Sequence, residues 1–253
     1  MPRSFTLSLA AVDVLGQVLG VSPRLFPFEV PSFGRFAEDR GRIAEAVFAD
    51  LYGRGLVGRD QLDHDVETAL RITSEHDVGI GVMGTVEKDR PVRARAAVLG
   101  TTAVLAVQEG QTIRFDLMAP SSVARALVDL LPAAKAGPGQ SVMVTEAPVA
   151  QEGGFVRPVR AARSTSDTQL RLAATMLERP RTGFGFYSVV GKGRHGREVE
   201  AGTVGWIDTE SGRYLSVSRP QPDGAIRATY SPADAARLIR QLDELIATAT
   251  PRR

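Results

Sequence analysis
The sequence has no cysteine. That single absence removes disulfides, thiolate-bound zinc, iron–sulfur ligation and a cysteine nucleophile, and with them a disulfide-stapled secreted fold; a reducing cytosol fits, and a cytoplasmic location is the expectation. Histidine is almost as scarce. His64, His76 and His195 are dispersed and no His-Glu-x-x-His spacing occurs, so neither a metal site nor a cofactor is implied. An excess of one charge is missing as well: 31 Lys and Arg face 29 Asp and Glu, a formal +2, so nothing in the charge asks for nucleic acid. Long apolar runs are also lacking. The least polar stretch, Ala96 to Val107, falls short of the ~20 residues of a membrane span and is broken by Gly100-Thr101-Thr102, and the apolar run of MPRSFTLSLAAVDVLG is interrupted by Asp13, so neither a membrane helix nor a signal peptide is expected.

What is present is ordinary globular material: 253 residues, 43% hydrophobic and 24% charged, enough to bury a sizeable core. Phe5, Leu7 and Leu9 alternate as a short strand that leads into a helix through Val14 and Val18. Pro23, Pro27 and Pro31 make Val21 to Phe33 an extended connection, pinned by Phe26, Phe28 and Phe33. Ile43, Val47 and Leu51 mark a helix stopped at Gly53 and Gly55, and Asp60 is the expected cap of the next, through Leu62, Val66 and Leu70. Strand-like runs follow at Val78 to Val82, Val92 to Val98, Ala103 to Val107 and Thr112 to Met118, and Pro120 opens a helix through Leu127. After a Pro/Gly/Ala connector come a strand beginning at Val142 and Val144, a loop from Ala147 to Thr165 and a helix around Leu170 to Leu177. Strands then resume at Phe184, at Thr203 to Asp208, at Arg213 to Ser218 and at Ile226 to Tyr230, before Pro232 opens a last helix through Leu238, Leu242 and Leu245.

Motifs that would carry chemistry are weak. Gly191-Lys192-Gly193-Arg194-His195-Gly196 lacks the Ser/Thr and the following helix of a phosphate loop and reads as a hairpin turn. Asp63-His64-Asp65 reads as the acidic first turn of the helix that Asp60 caps. No Gly-x-Ser-x-Gly elbow occurs, so no nucleophile is assigned. An anion- or nucleic-acid-binding alternative rests on Arg157, Arg160, Arg163, Arg171, Arg179 and Arg181 with Phe184 and Tyr187 as stacking groups, together with Lys192, Arg194 and Arg197.

The strand, proline and helix at Ile113-Arg114-Phe115, Pro120 and Ala124 to Leu127 resemble those at Ile226-Arg227-Ala228, Pro232 and Ala236 to Leu238. The chain is therefore expected to be α+β, with a mainly antiparallel central sheet and flanking helices, built as two pseudo-twofold-related halves, 1–132 and 133–253, packed as one globular unit.

Trp206-Ile207-Asp208-Thr209-Glu210-Ser211-Gly212-Arg213-Tyr214-Leu215, followed by Ser231-Pro232-Ala233-Asp234-Ala235-Ala236-Arg237-Leu238, resembles the C-terminal signature of the EspG family. Phe5 to Leu9, Arg54-Gly55-Leu56-Val57 and Tyr187-Ser188-Val189-Val190 match in order. The resemblance implies a non-enzyme: a cytosolic chaperone of a type VII (ESX) secretion system that holds the apolar helical tip of a PPE-like protein in a PE–PPE heterodimer, or a related helical hairpin. It further implies client contact through the sheet surface, the C-terminal helical part and an early inter-strand loop, which by order is Glu87, Lys88, Asp89, Arg90 and Pro91. Trp206, Asp208, Gly212, Arg213, Tyr214, Leu215, Pro232 and Arg237 are read as structural markers of the family. Neither the segment Pro23 to Phe36 nor the loop Ala147 to Thr165 carries a motif of that family.

Overall fold
Among the described residues ten strands form, and all ten join one sheet, whose central strands are buried on both faces. The computed structural model describes residues 4–58, 61–87, 89–146, 180–192, 198–220 and 226–250. Its strands are β1 (Ser4–Ser8), β2 (Val78–Val86), β3 (Arg90–Leu99), β4 (Thr102–Glu109), β5 (Thr112–Met118), β6 (Val142–Glu146), β7 (Arg181–Lys192), β8 (Glu198–Thr209), β9 (Gly212–Pro220) and β10 (Ile226–Pro232). The helices are α1 (Leu9–Leu19), α2 (Ala37–Gly53), α3 (His64–Ser74), α4 (Val123–Val128) and α5 (Ala235–Ala249). The expected loop at Ala147 to Thr165 and helix at Leu170 to Leu177 lie outside the described residues, as does the turn beyond Lys192.

Neighbouring strands pair antiparallel in the order β1-β5-β4-β3-β2-β7-β8-β9-β10-β6, so the fold is α+β. Counted outward from the central β2–β7 pair, one side runs β2-β3-β4-β5-β1 and the other β7-β8-β9-β10-β6, the same succession twice. One row of directly opposed residues crosses the whole sheet: Thr6, Arg114, Val107, Ala94, Val82, Tyr187, Val204, Val217, Thr229 and Met143. It sets Arg114 against Thr229 and not against Arg227, as the likeness of Ile113-Arg114 to Ile226-Arg227 suggests. The slip is even, so each residue keeps its face of the sheet.

Two layers of helix cover the sheet. On the face that carries Val82, Tyr187 and Trp206, α4 and α5 lie side by side, and Leu127, Leu238, Leu242 and Leu245 are buried there. On the opposite face, α1, α2 and α3 pack Val12, Leu15, Leu51, Val66 and Leu70 against Ala97, Val104, Ala106, Ile113 and Phe115. Local caps fix the helix starts. Ser8 accepts from the Ala11 amide, Asp63 from the Asp65 amide and Asp234 from the Arg237 amide. Two expectations are corrected here: Asp63, not Asp60, caps α3, because Leu62 is still bridged to Val57; and Pro232 closes β10 opposite Tyr214, leaving Asp234 to open α5. Asp60 itself lies outside the described residues. Among the described residues no helix is long and apolar enough to cross a membrane.

Candidate partner-binding face
The Glu87 to Pro91 segment divides between turn and strand. Val86 pairs with Arg90 and Thr85 with Pro91, so Arg90 and Pro91 already belong to β3, and Glu87 and Asp89 are the described residues between the two strands. Glu87 and Asp89 adopt φ of 44° and 72°, in the left-handed region that disfavours a residue with a Cβ. The Arg90 guanidinium donates to Glu87 Oε2 at 3.2 Å. Lys88 lies outside the described residues.

Beside this turn, on the sheet face that α4 and α5 do not occupy, two rows of side chains adjoin. One runs Pro91, Thr85, Phe184, Ile207 and Tyr214; the next runs Arg93, Met83, Phe186, Gly205 and Ser216. Phe184 is 40% exposed, while Met83, Phe186 and Ile207 are half-buried. Phe26 completes the patch from outside the sheet. Its ring stacks on Phe186 with centroids 6.0 Å apart and covers Gly81, where a Cβ would come within 2.6 Å of it. Phe26 thus pins its connection to the body, as expected of it together with Phe28 and Phe33. Those two do pack against the α1–α3 core, but Phe26 is 44% exposed.

Six of the signature residues, Trp206, Asp208, Gly212, Arg213, Tyr214 and Leu215, lie beneath the surface. Trp206 is fully buried, tilted against Tyr187 at 5.0 Å, and lies over Gly84 and Gly185; a Cβ at Gly185 would sit 2.3 Å from its ring. Leu215, opposite Trp206, is buried with it. Arg213, 1% exposed, grips Asp208 through Nε to Oδ1 at 2.6 Å and Nη2 to Oδ2 at 2.9 Å. Its Nη2 also donates to the Pro132 carbonyl at 2.8 Å, while the Arg213 amide donates to the Lys135 carbonyl and its own carbonyl accepts from the Gly137 amide. Tyr214 donates its hydroxyl to the Pro138 carbonyl at 2.9 Å. Gly212 has φ of 131°, and a Cβ there would stand 2.7 Å from the Lys135 carbonyl oxygen and the Gly137 nitrogen. Asp208, Gly212, Arg213 and Tyr214 thus form a clasp on the connector from Pro132 to Pro138. Pro232 is half-buried and Arg237 is exposed, its Nη2 3.4 Å from Ser141 Oγ. The only signal for the clasp in the sequence was the signature itself, since a connector held from β9 leaves no periodic trace.

The arginine alternative loses its stacking pair. Phe184 and Tyr187 point to opposite faces of β7, and Tyr187 is buried, with burial pushing its phenol well above its usual value. Arg181 is exposed at the start of β7, whereas Arg157, Arg160, Arg163, Arg171, Arg179, Arg194 and Arg197 lie outside the described residues. Among the described residues no three His, Asp or Glu side chains gather to hold a metal ion. A groove of about 510 Å³ opens at the β1 edge between α1 and α2, lined by Ala10, Ile43, Val47, Asp50 and Arg54. Arg54 spans it, donating to the Thr6 carbonyl and to Asp50.

A solved structure shares this architecture: the Mycobacterium tuberculosis type VII secretion system chaperone EspG5, determined in complex with the PE25–PPE41 dimer, matches with a TM-score of 0.68 over 98% of this chain and 97% of that one, at 14% sequence identity. No curated protein matches the sequence. The profile of the EspG family matches residues 8–244, from the last residue of β1 into α5. The chain belongs to the EspG family.

Proposed function
We propose that this chain is a non-enzymatic, cytosolic chaperone of a type VII secretion system, which covers the apolar helical tip of a PPE-like protein in a PE–PPE pair until export. Family membership over residues 8–244 carries the reading. The half-exposed rows around Phe184, Phe186, Met83 and Ile207, bordered by the Glu87 to Pro91 segment, supply the contact surface in it. Residues 1–132 and 133–253 act in it as two halves of one rigid platform. The physical need is plain: a secreted helical pair with an exposed apolar tip self-associates in water unless that patch is covered. Burial at ~25 cal/mol per Å² drives the contact, while surrounding polar groups select the client.

Co-expression with each PE–PPE pair encoded in the same genome, followed by size exclusion, tests this. A co-eluting pair that gains solubility is the expected outcome. Failure of every pair to co-elute or become more soluble would remove the chaperone assignment.

A further inference from the structure
We infer that Phe26 is a fixed contact of the partner face and a determinant of which client that face accepts; this rests on the chaperone reading above. The segment between α1 and α2 is fastened along its length. The Phe26 carbonyl accepts from Arg95 Nη1 at 3.0 Å, the Glu29 amide donates to Gln108 at 3.0 Å, the Glu29 carboxylate pairs with Arg93 at 2.7 Å, and the Phe33 amide donates to Asp13 at 3.1 Å. Phe28 and Phe33 use that anchorage to enter the core, but Phe26 presents its ring flat on the sheet, one side on Gly81 and Phe186 and the rest in water. An aromatic ring held rigid and in view needs no ordering when a partner arrives, which is the property of residues that dominate interface energetics.

The border of the patch identifies the occupant. Arg93, opposite Met83, is answered by Glu29, and Arg90, opposite Val86 where the strand begins, by Glu87, so both described cations at this end of β3 are neutralised within the chain. A rim balanced in this way exerts little pull on an acidic peptide or a nucleic acid, and the flat pair of Phe26 and Phe186 suits an uncharged apolar helix tip. Phe26 stands on the connection between α1 and α2 and not on a strand, so its side chain sets the chemistry of the face without entering the sheet beneath.

The test measures affinity of the full chain for the PE–PPE pair recovered by co-expression. Phe26→Ala is expected to weaken binding tenfold or more with its urea midpoint little changed, and Phe36→Ala, at a 69% exposed site where α2 begins, to bind as the unsubstituted chain does. Gly81→Ala checks the same point without touching Phe26, because its Cβ would force the ring off the sheet; a loss of similar size is expected. Where several pairs bind, Phe26→Ala should also narrow the spread of their affinities. Binding by both Phe26→Ala and Gly81→Ala within twofold of the unsubstituted chain overturns the inference and leaves the chaperone reading standing. Recovery of no pair overturns both.

Discussion

Val82 and Tyr187 face each other across the central β2–β7 pair, and each stands at the same place in its own meander. Val82 is followed outward by Ala94 and Val107, and Tyr187 by Val204 and Val217. A local twofold passing between them would exchange the two runs of five strands. What breaks the equivalence is size. The phenol of Tyr187 extends beneath α4 to the Leu127 carbonyl at 3.4 Å and packs on Trp206, so the larger residue fills the space where α4 and α5 meet the sheet.

That burial makes Tyr187 a source of alkaline sensitivity. Its phenol is held above the ordinary value by desolvation, so the folded state keeps a proton that the unfolded chain releases above about pH 10. The contribution is complete below that pH and is lost as pH rises further. Tyr187→Phe should therefore flatten the decline of stability on the alkaline side, while costing at most about 1 kcal/mol at neutral pH for a long hydrogen bond. Urea melts from pH 8 to 11 check both parts.

The sheet was legible because its strands alternate and its turns carry glycine and polar residues, as at Gly100 and Gly110. The pairing of the two runs was less so. Ile113 and Ile226 look alike, yet the register joins Arg114 to Thr229 in one row, because identity between short strands fixes a face and not a position along it. Asp63, expected in the first turn of the helix, caps it in place of Asp60, and it is the Val57–Leu62 bridge that delays the start of α3. Phe26 was expected to pin its connection to the body and does so, but nothing local to the sequence shows that Gly81, far along the chain, lies under its ring.

The clasp of Arg213 on Asp208 predicts a strong asymmetry between single and double substitutions. Arg213→Ala leaves the buried Asp208 carboxylate unanswered and releases the Pro132 carbonyl, and a loss on the order of 3–5 kcal/mol is expected. Replacing Arg213 by Met and Asp208 by Leu together removes both charges and should recover most of it. Chemical denaturation of the two variants measures this, and a double variant as unstable as Arg213→Ala would show that the connector contact, not the ion pair, dominates.

Acid should weaken the fold through Asp13. Burial alone would raise its carboxyl, but hydrogen bonds from Arg40 and the Phe33 amide, with the charges of Arg40 and Arg24, hold it below the ordinary aspartate value. A depressed acid stabilises the fold above its unfolded value, about pH 3.9, and that contribution disappears as pH falls through the lower folded value. Asp13→Asn should lose stability at pH 7 and show a shallower loss between pH 4 and 2. Amide exchange in the segment from Val21 to Phe33 is expected to quicken in the same variant, because Asp13 is the node that ties Phe33 down.

The β2–β3 turn allows strain and contact to be separated. Glu87 holds a left-handed φ that costs a residue with a Cβ about 1 kcal/mol, a cost that glycine escapes. Glu87→Gly should thus stabilise the free chain by roughly that amount, less the small loss of an exposed ion pair with Arg90. Arg90→Glu keeps the backbone and reverses the charge opposite Val86, one residue from Pro91. If the turn touches the client, Arg90→Glu weakens binding severalfold with the thermal midpoint unchanged, and Glu87→Gly weakens it despite the more stable fold. The apolar centre at Phe184 and Phe186 should by contrast hold most of its affinity in moderate salt, since its attraction is not Coulombic. Isothermal titration at low and moderate salt distinguishes the two contributions. Equal affinities in both turn variants would take Glu87 to Pro91 out of the contact and confine it to the aromatic rows.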